Sequence, residues 1–304
     1  MTTTEVTNIL ATSATSGGTI TDEGSGTIIE RGICWSKGIT PITSDNRTIE
    51  GGGAGTFISN ISDLDAATTY YVRTYATNKA GTGYGMAMAF TTLVLPPTNG
   101  LVAYYPFNGN ANDQTINGNH GIVSGATLTA DRFGNPNNAY HFDGINDDIT
   151  GSVNNWPLYK SPRTISVWAT LHTLVGQSSN NFFLTYGQET DNNLNSVYFQ
   201  YAVGIGKIVV YSGYYNDVPA LFDYAFDIWY NILVTFDGTM AAIYINGTLS
   251  AQENKNGCNT LPANFHFGNL NNWTSFLNGE VDDIRIYDRV LNQSEIVSLY
   301  NEIP

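Results

Sequence analysis

The stretch GEVDDIRIYDRVL, residues 279–291, places Glu280 and Asp282 two positions apart. Acids at that spacing share one face of a strand. A third acid in the same register would line a groove with carboxylates about 5 Å apart, as retaining glycoside hydrolysis requires. Here the register continues with Ile284 and Ile286 instead, with Asp283 and Arg285 expected on the opposite side. The segment therefore reads as a core strand with acids at its start. Glu189 and Asp191, in YGQETDNNLN, lie in a polar, turn-like stretch without a third partner. His120, His141, His172 and His266 show no H-E-x-x-H spacing and no neighbouring nucleophile motif. No residue is assigned a catalytic role, and the expectation is a protein that is not an enzyme.

Binding chemistry is better supplied. A pyranose ring presents a C–H face that packs on aromatic side chains, while Asn, Gln and Asp read its hydroxyls. The candidates are aromatics at loops and strand ends. Trp273 follows Asn271 and Asn272 in GNLNNWTSF, Tyr214 and Tyr215 close a strand in YSGYYND, and Trp156 stands in VNNWPLY. Tyr198 with Gln200 would face a groove from NSVYFQYAVG. Residues 99–304 contain only seven Lys and Arg, of which Lys160 and Arg163 are the closest pair in sequence. Strongly sulfated or uronate polymers need clustered cations, so a neutral or lightly charged glycan is favoured. The net charge of −14 argues against nucleic acid and anionic membrane surfaces, both of which recruit basic patches.

Only 12% of the 304 residues are charged, against 31 Gly and 19 Tyr, a β-sheet and tight-turn composition. The clearest break is TTLVLPPTNG, where Pro96-Pro97 favours an extended spacer. It predicts domains at 1–94 and 101–304 joined by a linker at 95–100. The segments GTIIERGICWSK and TYYVRTYATN alternate apolar and polar residues between Gly-rich breaks. After the linker, residues 163–173, 181–188, 195–204, 207–213, 229–252 and 280–288 read as strands, with a primed-turn hairpin at Asn246-Gly247. One helix is expected, at the C-terminus, where Asn292 and Glu295 form a capping-box pair. No apolar run approaches the roughly 20 residues of a membrane span, so no membrane insertion is expected. Met1 leads directly into a strand-like segment, which suggests a piece of a longer secreted or cell-surface protein, tethered to further domains. Cys34 and Cys258 fall in different domains and are expected as free, buried thiols.

Two resemblances refine the reading. LDAATTYYVRTYA, with Leu64, Thr68, Tyr70, Val72 and Ala76 in place and Ala66 where proline is usual, resembles the fibronectin type III pattern. It implies a small β-sandwich spacer with Tyr70 as the corner tyrosine. RGICWSKG and ATNKAGTGYG are similar to the variant found in surface proteins of Bacteroidetes-type bacteria. GLVAYYPFNGNANDQTINGNHG, AYHFDGINDDI, TISVWA, WYNILVTFDGTMAAIYING and GEVDDIRIYDRVL resemble, in order, the laminin-G-like, concanavalin A-type jelly roll. The implied fold class is all-β, a fibronectin type III-like sandwich followed by a larger jelly-roll sandwich. Trp168, Trp229, Tyr104, Phe107 and Phe142 match family positions that pack inside. The family commonly holds a structural calcium through the acid at position 282, with oxygen donors from early loops. Here those donors would be Asn108, Asp113, Asp143 and Asp147, although Asp143 and Asp147 could equally serve turns, and Asp282 could pair with an arginine. The implied function is a non-catalytic polysaccharide-binding module, the alternative being a cell-surface adhesion module for a protein or glycoprotein.

Overall fold

Every described strand pairs antiparallel, and among the described residues the pairings build four sheets in two units, Met1–Pro96 and Pro97–Tyr300. The computed structural model describes residues 1–173, 180–190, 192–202, 206–212, 217–270 and 275–302. In the first unit, Thr2–Thr7, Ala14–Ile20 and Gly55–Ile61 form a three-stranded sheet. Asn46–Arg47, Glu30–Ser36, Thr69–Asn78, Gly81–Tyr84 and Met88–Thr91 form a five-stranded one. Alternation along Thr69–Asn78 turns Tyr70 and Val72 into a core shared with Ile20, Ile33 and Ile61. The Tyr70 hydroxyl accepts a hydrogen bond from the Asp65 amide at 3.1 Å, tying the corner to the backbone five residues upstream.

The second unit is a jelly roll. Its seven-stranded sheet runs in the order Ile122–Ser124, Asp148–Gly151, Phe265–Phe267, Asn180–Gly187, Leu194–Ala202, Gly206–Ser212, Val218–Leu221. The eight-stranded sheet runs Thr127–Thr129, Ala139–Asp143, Asn278–Tyr287, Arg163–Leu171, Tyr230–Phe236, Met240–Ile245, Thr248–Asn254, with Leu101–Tyr105 also pairing Asn278–Tyr287. Because side chains alternate along a strand, each sheet sends one apolar set inward. Phe183, Phe199, Val209 and Tyr211 from the first sheet meet Ile165, Val167, Ile232, Val234 and Ile286 from the second in one core. Asn246 and Gly247 both take positive φ, 50° and 74°, which completes the primed hairpin turn.

The helix Gln293–Tyr300 begins as the capping box predicts: Glu295 N donates to Asn292 Oδ1 at 3.1 Å, and Asn292 N donates to Glu295 Oε2 at 2.9 Å. It covers the outer face of the eight-stranded sheet through Ile296 and Leu299, packed on Leu233, Tyr287 and Leu291. Trp168 belongs to that outer layer rather than to the interior, stacked on Tyr300 with ring centroids 5.8 Å apart. Trp229, expected inside, is only half-buried. Both cysteines are free and buried.

One polar cluster lies inside the jelly roll. Arg163 is fully buried and donates to the Tyr159 carbonyl, the Tyr186 hydroxyl and Thr260 Oγ1. Nearby, the Lys255 ammonium sits 4.7 Å from the centre of the Tyr211 ring. Burial pushes Lys255 down from its ordinary 10.5 to about 8. Between those values the unfolded chain binds the extra proton, so stability rises with pH across the window. The cost of burying the charge, about 3 kcal/mol at most, is full below pH 8 and fades toward 10.5. Denaturant titrations at pH 7, 8 and 9 should show wild type gaining stability relative to Lys255→Met as pH rises; a constant difference would refute the assignment.

Candidate functional site

The outer face of the seven-stranded sheet carries a pocket of about 260 Å³ whose described lining is Thr150, Thr185, Gly187, Glu189, Leu194, Ala263, Asn264, His266 and Leu270. The strand ladder explains its floor. Phe265 and Phe267 point into the core, so His266 between them must point out. Register then sets Thr150 against His266, His266 against Thr185, and Thr185 against Ser196. The result is a polar row across four strands. Asp148 Oδ2 lies 2.9 Å from His266 Nδ1 and holds the ring, leaving Nε2 as the free nitrogen. The Thr150 and Thr185 hydroxyls donate to the Phe265 and Asn269 carbonyls, so their oxygens retain acceptor capacity.

Beneath and beside the row, Phe182, Leu194, Tyr198, Ile208, Val210 and Leu270 form a second buried apolar cluster, of which Leu194 and Leu270 reach the pocket lining. A pocket lined by Leu194, Ala263 and Leu270 next to hydroxyls, an imidazole, an amide and a carboxylate suits a small polar ligand with an apolar side. Glu189 is the one carboxylate among the described lining residues. Hydrolysis by paired acids needs a second one across the bond, and none stands among the described lining residues.

The sequence located this face only in part. Tyr198 belongs to it but is 4% exposed, packed on Phe182 with ring centroids 4.7 Å apart; it supports the floor and does not offer its ring to solvent. Gln200 is half-buried, and its Nε2 donates to Asn180 Oδ1 at 2.7 Å. Trp156 is corrected: at 3% exposure it lies in the core, stacked on Phe265 at 5.2 Å and edge-on to Tyr186 at 5.1 Å. A residue before proline in a polar stretch looked like a loop tip, yet the chain turns it inward to fill the end of the sandwich. Tyr214, Tyr215, Asn271, Asn272 and Trp273 lie outside the described residues. His266, Thr150, Thr185 and Asn264 were missed, although the pattern Phe-His-Phe already implies an outward histidine.

The expected calcium donors do not converge. Asp282 Oδ2 is 2.7 Å from Arg132 Nη1, and Asp283 Oδ2 is 3.2 Å from Arg132 Nη2. Arg285 closes the group at 3.2 Å from Asp283 Oδ1. Burial, with the neighbouring Asp283 carboxylate, pushes the Asp282 carboxyl up to about 8 against the pull of Arg132. The close charged geometry and the upward push oppose one another; the contact is what fixes the side chain, and burial is what makes it costly to leave alone. Asp113 accepts from the Tyr104, Thr115 and Asn119 amides, folding its own loop. Asp143 Oδ1 accepts from Ile145 N, and Asp147 Oδ2 accepts from Asp143 N, the turn roles open to them. Asn108 is exposed, and its carbonyl serves Asn110. The five residues thus do not fit a shared ion. Chelation by EGTA should leave the Tm unchanged in a thermal melt, whereas a drop reversed by added Ca2+ would restore the calcium reading.

The acids also face differently from the sequence register. Asp283 has φ of 52°, and the pairing with Arg163–Leu171 slips between Ser166 and Trp168. A β-bulge adds one residue here, so Val281 and Ile284, three apart, both enter the core while Asp282 and Asp283 both reach Arg132.

Comparison with known folds follows this architecture. Domain 4 of a GH43 extracellular arabinanase from Geobacillus stearothermophilus, solved in complex with arabinotriose, matches at 18% identity and a TM-score of 0.53, over 66% of this chain and 98% of that one. The botulinum neurotoxin serotype D ligand-binding domain, solved with N-acetylneuraminic acid, matches at 14% identity and TM-score 0.53 over 66% of this chain and 50% of its own. The binding domain of Paraclostridial Mosquitocidal Protein 1 matches at 19% identity and TM-score 0.53 over 66% and 52%. The chain therefore spans about half the length of these toxin domains, and at such identities the likeness is one of fold. No curated protein matches the sequence. Residues 143–297, half of the chain, match a laminin-G-type family model described as the concanavalin A-like lectin/glucanases superfamily, and the chain belongs to that superfamily.

Proposed function

We propose that the Pro97–Tyr300 unit is a non-catalytic glycan-binding module that receives a neutral or lightly charged saccharide in the pocket on the outer face of its seven-stranded sheet. The observation that carries this reading is the pocket itself, a polar row of Thr150, His266 and Thr185 beside apolar Leu194 and Leu270, with a single lining carboxylate. Support comes from the superfamily and from structural neighbours solved with arabinotriose and with N-acetylneuraminic acid. The Met1–Pro96 unit acts as a fibronectin type III-like spacer, a role supported by its Tyr70 corner. The whole belongs to a longer secreted or cell-surface protein.

Native affinity electrophoresis through gels holding plant and algal polysaccharides tests this. Retardation in one or two gels is the expected result. His266→Ala and Glu189→Gln should each weaken that retention about 10- to 100-fold, roughly 1.4–2.7 kcal/mol, the scale of one or two lost hydrogen bonds to a charged or buried group. Free migration in every gel would reject glycan binding for that panel and leave adhesion to a protein partner as the reading to pursue. Release of reducing ends would reject the non-catalytic assignment.

A further inference from the structure

On the outer face of the eight-stranded sheet, away from the pocket, two imidazoles and a carboxylate meet. His141 and Glu280 are cross-strand partners, and Glu280 in turn stands opposite Thr170, two residues before His172. His172 Nε2 lies 2.8 Å from Glu280 Oε1, and His141 Nδ1 lies 3.5 Å from the same oxygen. One ligand atom from each residue falls within 4.8 Å of the other two.

We propose that His141, His172 and Glu280 form a binding site for a divalent transition metal of the zinc class. A zinc ion bonds imidazole nitrogen and carboxylate oxygen at about 2.0–2.2 Å, which in a tetrahedral shell puts the ligand atoms about 3.4 Å apart. The 2.8 and 3.5 Å separations lie either side of that spacing and all three ligand atoms fall within 4.8 Å, so side-chain rotations of up to about 1 Å admit the ion. The donors select the metal class: two nitrogens and one oxygen suit zinc or its neighbours, whereas calcium and magnesium want oxygen alone.

The surroundings are those of a positioned ligand set. Asp227 Oδ1 lies 2.5 Å from His172 Nδ1, the carboxylate–histidine pairing that fixes a metal-binding imidazole with its other nitrogen turned to the ion. The backbone secures both partners, since His172 N donates to the Asn278 carbonyl and Asp227 N donates to the Leu171 carbonyl, each at 2.9 Å. The side chains of His141, His172 and Glu280 are 35%, 32% and 15% exposed. The ion thus has an entry path, and water can take the fourth position.

Isothermal titration of the untagged full chain with ZnCl2 tests the site. The expected result is one equivalent bound with a Kd in the micromolar range or below. His141→Ala and Glu280→Gln should each weaken it at least 10-fold, while His120→Ala, at an exposed histidine elsewhere, leaves it unchanged. Saturating zinc should also raise the Tm of the wild type, because the ion binds only the folded state. Binding weaker than about 1 mM, or wild-type affinity retained in both site variants, overturns the proposal. Should a variant fail to fold, Co2+ added to the wild type decides: visible d–d absorption of a four-coordinate site supports the assignment, and the spectrum of the hydrated ion rejects it.

Discussion

Above pH 8, where Asp282 is ionised, Arg132→Met should cost about 3–5 kcal/mol, because it leaves a buried carboxylate without its cation. Arg132 reaches Asp282 at 2.7 Å and Asp283 at 3.2 Å with only 8% of its side chain exposed. It also lies over the Phe133 and Trp168 rings, 4.5 Å from each centre, so the stem and the charge both contribute. Asp283 keeps Arg285; Asp282 keeps no cation among the described residues. Urea unfolding followed by tryptophan fluorescence measures the loss. The double variant Arg132→Met with Asp282→Asn should recover much of it, since a neutral amide tolerates burial better than an unpaired charge. A single-variant loss below about 1 kcal/mol would mean that the cluster is solvated and the ion pairs contribute little.

Trp156→Ala should be comparably damaging, by about 3–5 kcal/mol, the range for deleting a buried aromatic and leaving a cavity. The indole stacks on Phe265 at an interplanar angle of 11° and meets Tyr186 edge-on, and both neighbours are themselves within the core. Trp156→Phe should cost clearly less, because a ring still fills most of the volume. The same urea titration distinguishes the outcomes. Equal, small losses for both variants would return Trp156 to the surface role that its sequence context suggested.

Much of the fold could be read from the chain because it rests on local patterns. Alternation in TYYVRTYATN, the Asn246-Gly247 turn and the Asn292–Glu295 cap each act over a few residues, and local rules suffice for them. Position 283 shows where such rules stop. Strict alternation assigned Asp282 and Ile284 to one face, and the bulge, a backbone feature with no side-chain signature in an Asp-Asp pair, separated them. The fate of Asp282 was equally hidden, since its partner Arg132 is 150 residues away. His141, His172 and Glu280 are similarly scattered, and only strand order makes them neighbours. The pocket was half legible. Phe265-His266-Phe267 announces an outward histidine, but which strands flank it depends on sheet topology that spacing does not encode.

The helix Gln293–Tyr300, laid over the outer face of the eight-stranded sheet, has a consequence for valency. With the middle of one sheet roofed, the saccharide-binding role proposed above falls to the pocket on the seven-stranded sheet. On that proposal each such unit is monovalent, and a weak saccharide contact is not strengthened within it. Tight retention on a polysaccharide would have to come from several units sharing one chain, where tethering at millimolar effective concentration multiplies modest affinities by 100-fold or more on the order expected for linked sites.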